Sequence, residues 1–421
     1  MSEFHQYASI ATLHDLFEIF DRDEYLHFLE KKLGEFSNHM RMCLLLPCLR
    51  SELENQPVIQ NILDQIREVD YLRHIVVAFG ATEDPAHFRQ AREFFGQLEK
   101  DDRDVRLVWV DGPRIRAIYD KIEDLRIDTG EAGKGRSVWM TLGYIFARQD
   151  SEVIALHDCD IVTYDRLLLG RLIEPTANPN NDFEFCKGYY SRVSLRSRQM
   201  KGRVTRIFVA PFVETLASLM RNRGYTDLEN FFRYHRSFRY PLSGEFSFAT
   251  RLAKSVNVAH DWALEVSTLS EVFQRVVNRK IAQIDLARNY EHKHKEISEE
   301  DSSKGLHRMV VDIARFYLNH VRSSGFPLTD QFIDMLKHTY VRQAWFFIKK
   351  YGDDAASNGL PFERHTEELT ANLFMEFLGE AWELVKRGEV SEPIPSWNRV
   401  AYSFPAIYRD ILEAVEKDHT I

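Results

Sequence analysis

Residues 153–165 read VIALHDCDIVTYD. An apolar, branched run of strand type ends there in two carboxylates, Asp158 and Asp160, with Cys159 between them. On an extended chain, residues i and i+2 point to the same side. Two like charges so placed repel unless a cation or a solvated edge compensates them. A bare Asp-x-Asp is most simply a strand end dissolving into a polar turn, because short motifs match by chance. The sharper reading is a divalent-metal site at the carboxyl end of a sheet strand. The flanking sequence has to choose between them.

Upstream, RMCLLLPCL (41–49), HIVVAFGA (74–81) and VRLVWVDG (105–112) are further short apolar runs. Helical patterns separate them, notably PVIQNILDQIREV and PAHFRQAREFFGQLEK. Strands alternating with helices predict a mostly parallel, doubly wound sheet covered on both faces. Ligands of such sheets lie beyond the carboxyl ends of the strands. Pro47, Gly80, Asp158 and Asp160 all fall at such ends. Just before the opening stretch, TGEAGKGRSVWMTLGYIFARQ (129–149) has a Gly-Lys-Gly turn that starts a helix. A helix N-terminus favours an anion, so Lys134 there could meet a phosphate. The turn is not a Walker A loop, which needs an upstream Gly and a Ser/Thr after the Lys. Alone it is more often a solvated turn.

The bulk composition narrows the classes. The chain has 421 residues, 44% hydrophobic and 28% charged, as expected for two or three globular domains. A formal charge of −9 argues against a nucleic-acid partner. No apolar run is long enough to span a bilayer, and the acidic N-terminus lacks a signal-peptide layout. Four cysteines without metal spacing (Cys43, Cys48, Cys159, Cys186) predict reduced thiols and a cytoplasmic protein.

Downstream, RVSLRSRQMKGRVTR (192–206) carries six basic residues and no acid. Most such runs are solvated, yet Arg forks can also clamp a phosphate or carboxylate. YPLSGEFSFATRLAK (240–254) places a Gly-Glu pair between an extended segment and a helix. HDWALEVSTLSEVFQRV (260–276) has helical spacing, and its Glu265 either faces solvent or lines the cleft. LARNYEHKHKEIS (286–298) holds His292 and His294, of interest only if the fold returns one to the aspartates. Amphipathic patches within 1–38 (TLHDLFEIF, YLHFLEKKLGEF) predict helices, and beyond residue 300 the chain reads as helical and aromatic.

Taken together, GKGRSVWMTLGYIFARQDSEVIALHDCDIV, KGYYSR (187–192), GRVTRIFVAPFV (202–213), PLSGEF (241–246), WALEV (262–266) and EHKH (291–294) resemble, in order, the retaining GT-A glucosyl-3-phosphoglycerate synthase family and its mannosyl-transferring relatives. The resemblance spans roughly residues 40 to 298. It implies a GT-A fold and glucose transfer from a nucleotide-diphosphate donor to 3-phosphoglycerate with retention. Asp158, Asp160 and His292 would hold Mg²⁺ or Mn²⁺, for which hard oxygen ligands are suited. Pro47, Leu49, Glu52, Gly80, Lys134, Cys159, Gly244 and Trp262 would line the donor site. Glu265 would bond glucose hydroxyls, and the Leu242 carbonyl would face the oxocarbenium-like centre. Gly202, Arg203, Thr205 and His294 would bind the phosphorylated acceptor.

The chain departs from the family pattern in places. Gly80 and Ala81 replace a polar turn, and Tyr290 stands where the family has Arg. The expected organisation is an N-terminal helical segment (1–38), a GT-A domain (39–298) and a helical C-terminal extension (299–421). A homodimer is expected from the aromatic-rich tail. Mannosyl transfer, glycerate as acceptor, a nucleotidyltransferase and a non-catalytic sugar-nucleotide binder stand as alternatives.

Overall fold

The apolar runs pair into one eight-stranded sheet in a computed structural model that describes residue 6 and residues 8–292, 299–389 and 392–421. The strands are β1 (Ala11–Leu13), β2 (Met42–Leu49), β3 (Leu72–Gly80), β4 (Asp104–Trp109), β5 (Val153–Leu156), β6 (Phe185–Tyr190), β7 (Phe246–Ala249) and β8 (Ile281–Ala287). Their order is β1-β8-β6-β7-β5-β2-β3-β4. Every pairing is parallel except those of β7, which runs antiparallel to both β5 and β6. Apart from Pro47 and Leu49 at the end of β2 and Arg73 near the start of β3, the central strands are buried, because helices cover both faces. Leu44, Leu46, Val77 and Ala155 join the helices Arg22–Ser37, Gln56–Arg67, Pro85–Gly96 and Arg166–Ala177 on one face. Cys43, Leu45, Val76 and Ile154 join Pro113–Glu123, Lys134–Arg148 and Ile407–Asp418 on the other. This is the doubly wound, mostly parallel α/β arrangement expected of the chain.

A third core gathers Ala210–Asn222, Glu299–Ser323, Asp330–Ser357 and Arg364–Lys386, a helical group in the C-terminal part of the chain. The last segment returns to the sheet. Trp397 stacks on Trp139 at 4.3 Å, and its indole N–H donates to the Trp139 carbonyl at 2.7 Å.

Two local expectations differ from the structure. At the start of the patch TLHDLFEIF, Ala11–Leu13 forms an edge strand pairing with β8; Phe17–Ile19 makes a single 3-10 turn, and the α-helix begins at Arg22. Long-range pairing overrides a weak local helical pattern there. The segment after PLSGEF is strand β7, its alternate side chains filling both sheet faces, before a short helix begins at Thr250.

Candidate active site

Strand β2 leads to β3 on one side, and β5 pairs with its other side, which makes a topological switch at the carboxyl ends of β2 and β5. Asp158 and Asp160 lie just past the end of β5. Opposite them, residues 289–292 run beside residues 161–163. Val162 donates its N–H to the Glu291 carbonyl at 2.7 Å, and Ile161 bridges His292. The imidazole, 132 positions downstream, thereby meets the acid pair: Nδ1 of His292 lies 2.9 Å from Asp160 Oδ1. One ligand atom from each of Asp158, Asp160 and His292 lies within 4.8 Å of the others. Two carboxylates and an imidazole converging at this spacing suit a divalent cation.

Lys134 closes the other side. Its ammonium is 2.7 Å from Asp158 Oδ1 and 3.6 Å from Glu265 Oε1. Gly135 explains why the Gly-Lys-Gly turn can do this. A Cβ there would sit 2.0 Å from the Ala259 carbonyl oxygen, so only glycine lets the helix start press against the 259–260 main chain. Gly244 serves the same purpose across the cleft, since a Cβ on it would lie 2.6 Å from Asp158 Oδ2. Burial pushes the Asp158 carboxyl up, but Lys134 and His292 outweigh it and hold the group below its ordinary range. Burial likewise disfavours a charged His292, yet Asp160 more than compensates and raises it.

Among the other expected donor residues, Pro47, Leu49, Glu52 and Gly80 lie at these strand ends or just past them, while Trp262 lies in the turn before the helix Leu264–Arg275. Pro47 and Leu49 pair with Ala78 and Gly80 across β2 and β3, and Glu52 lies in the turn that follows. Leu49 and Trp262 are 47% and 46% exposed, large apolar surfaces open to a ligand. Beyond Gly80, Ala81 adopts a left-handed φ of 62°, and its N–H donates to Asp111 at 2.7 Å. Cys159 is 2% exposed, with its thiol turned towards Cys48 in the core. A side chain between two residues that face the cleft must point to the opposite side, so only its main chain can face a donor. Leu242 sits in the turn before Gly244, where Lys187 donates to the Ser243 carbonyl at 2.6 Å.

The basic segment folds back on itself through a Val193–Met200 bridge. Gly202 has φ +75°, and a Cβ on it would lie 2.9 Å from the Tyr240 hydroxyl. Arg203 and Thr205 follow at a π-helical turn spanning Val204–Val209. Arg203 is half-exposed and pairs with Glu367 at 3.0 Å, an acid from the C-terminal helical group. Thr205 is buried. His294 lies outside the described residues.

Sequence reasoning passed over several neighbours. Glu245 is fully buried, with Tyr190 donating to Oε2 at 2.8 Å and Tyr290 donating to Oε1. Lys187 is 1% exposed, and burial lowers its ammonium to about 8. A lysine inside the apolar strand FCKGYY, and an acid inside PLSGEF, were the available signals, since buried charges need partners.

No family model matches the chain. The chain is 37% identical to glucosyl-3-phosphoglycerate synthase of Persephonella marina over 422 residues, covering 100% of both. It is 34% identical over 411 residues to the protein of that name in Methanococcoides burtonii, covering 97% of this chain and 96% of the relative. Among solved structures, it resembles glucosyl-3-phosphoglycerate synthase of Mycobacterium tuberculosis in complex with phosphoglyceric acid. That match has TM-score 0.52 and 18% identity, over 76% of this chain and 90% of the other. The same mycobacterial protein with Mn²⁺, UDP-glucose and phosphoglyceric acid matches at TM-score 0.51 and 18% identity, with the same coverage.

Proposed function

The chain belongs to the glucosyl-3-phosphoglycerate synthase family, and from that membership we propose how its residues carry out the reaction. The enzyme moves glucose from a nucleotide-diphosphate donor to 3-phosphoglycerate, with UDP-glucose as the first donor to test. The observation that carries the reading is the meeting of Asp158, Asp160 and His292 beside Lys134 and Glu265.

Asp158, Asp160 and His292 hold Mg²⁺ or Mn²⁺. The bound cation supplies neutralisation of the charge that grows on the leaving diphosphate. Lys134 adds a second positive charge at the same place, reinforced by a helix N-terminus. Glu265 accepts hydrogen bonds from glucose hydroxyls, while Leu49 and Trp262 offer apolar contact to the donor. Arg203, Thr205 and the Gly202 main chain receive the acceptor's phosphate. A bond forms between the acceptor hydroxyl oxygen and the anomeric carbon on the face that the diphosphate leaves. The hydroxyl proton passes to the departing phosphate oxygen. The Leu242 carbonyl steadies the cationic centre.

The domain limits at residues 38 and 298, a homodimer and a cytoplasmic location belong to the same proposal. No helix among the described residues is long and apolar enough to cross a membrane. A panel assay tests the function: UDP-, GDP- and ADP-glucose and GDP-mannose against 3-phosphoglycerate and glycerate, with and without Mn²⁺. The expected result is metal-dependent release of a nucleoside diphosphate with glucose and 3-phosphoglycerate, and an α-linked product. Pyrophosphate release would instead mark a nucleotidyltransferase, and tight nucleotide binding without turnover would mark a non-catalytic binder.

A further inference from the structure

Strand β8 ends at Ala287, so residues 289–292 keep their place through other contacts. Main-chain bonds tie Tyr290 to Ser191 at 2.9 Å and Val162 to Glu291 at 2.7 Å. The side chain of Tyr290 supplies a separate tie. It is 1% exposed, its ring lies flat on Tyr190 at 3.7 Å and 6°, and its edge meets the His292 ring at 4.9 Å. Its hydroxyl donates to Oε1 of Glu245, whose Oε2 accepts from Tyr190 at 2.8 Å.

Glu245 directly follows Gly244, the residue pressed against Asp158. One buried carboxyl group therefore joins the turn beside Asp158, strand β6 and the segment that bears His292. A fully buried carboxyl group is tolerated only when its oxygens are satisfied. Each oxygen here has one phenol, and each phenol comes from a different segment. That makes the contact directional in a way that apolar packing is not.

We propose that Tyr290 and Glu245 are positioning residues that hold His292 in register with Asp158 and Asp160, so that the three side chains converge before a cation binds. The inference rests on the metal reading of that triad. Groups that orient metal ligands from behind govern affinity, and their loss weakens binding about 10- to 100-fold.

The test is Mn²⁺ titration of the full-length protein followed by electron paramagnetic resonance of free Mn²⁺, with and without UDP. Wild type is compared with Tyr290→Phe, Glu245→Gln and His292→Ala, and thermal midpoints are recorded in parallel. Tyr290→Phe keeps the ring stack and removes only the hydroxyl, so it remains informative if Glu245→Gln fails to fold. The expected result is Mn²⁺ binding about 10-fold weaker or more in Tyr290→Phe, with turnover recovered by excess Mn²⁺, and binding lost in His292→Ala. A Tyr290→Phe protein that binds Mn²⁺ like wild type, whatever its thermal midpoint, while His292→Ala does not, overturns the inference and leaves the metal reading standing. Unchanged Mn²⁺ binding in His292→Ala overturns both.

Discussion

Asp158 and Asp160 carry opposite obligations: one faces Lys134 and the other faces His292. Removing either takes one carboxylate from the candidate cation site, while the strand behind them is untouched. Asp158→Ala and Asp160→Ala are expected to lower turnover by about 10²–10³, by analogy with losing one transition-state stabilising contact. Unchanged circular dichroism with near-normal diphosphate release would remove these acids from the site. In the proposed mechanism Arg203 serves the other substrate. Arg203→Ala should raise KM for 3-phosphoglycerate at least 10-fold and leave KM for the donor near its starting value. Steady-state kinetics in each substrate separates the two effects. Away from the cleft, burial raises the Asp285 carboxyl to about 6, with Arg171 pulling it back. A carboxyl group whose folded-state pKa exceeds its unfolded value binds more protons when folded, so stability declines as pH rises from about 4 to 6. Asp285→Asn should therefore raise the thermal midpoint above pH 6 and match wild type below pH 4. Because the group is only partly buried, the gain is on the order of 1 kcal/mol, less than the full shift implies.

At the level of single elements, the start of helix Lys134–Arg148 depends on contact that only a hydrogen atom fits. Gly135→Ala would drive a methyl group into the Ala259 carbonyl, costing about 1–3 kcal/mol as the helix end shifts. Lys134 moves with it, so donor KM should rise together with the loss in urea midpoint. A variant with full stability and unaltered KM would refute this account of the turn. The Gly-Lys-Gly spacing was legible beforehand as a helix start. Its true constraint was not, because the Ala259 main chain lies more than 120 residues away in sequence. Strands β2, β3, β4 and β5 were equally legible, being short branched runs with no competing period. β1 and β7 were not. Three residues of edge strand carry too little pattern, and the direction of β7 depends on which neighbours it finds.

On the scale of the molecule, the closing segment is part of the main core. Trp397 is 1% exposed, and a Cβ on Gly143 would lie 2.2 Å from its ring. Trp397→Ala should cost about 3–5 kcal/mol, read from chemical denaturation, because the cavity opens beneath the helix that begins at Lys134. A loss below 1 kcal/mol would show that the segment is merely draped on the surface. The function class was readable from ordered motifs, and the acid pair from its place after a strand. The approach of His292 was not derivable from local spacing, since it depends on Ile161 meeting His292 and Val162 meeting Glu291. Glu245 and Lys187 lay within the ordered motifs but were given no role, because single charges inside apolar runs acquire meaning only when partners are seen.

The pairing of Ala11 with Ala282 imposes an order on biosynthesis. As the polypeptide leaves the ribosome, its first strand has no mate until some 270 further residues have been made. The imidazole that completes the cleft emerges still later. A nascent chain can thus assemble the central strands early, yet its candidate metal site stays incomplete until more than two thirds of the 421 residues have been made.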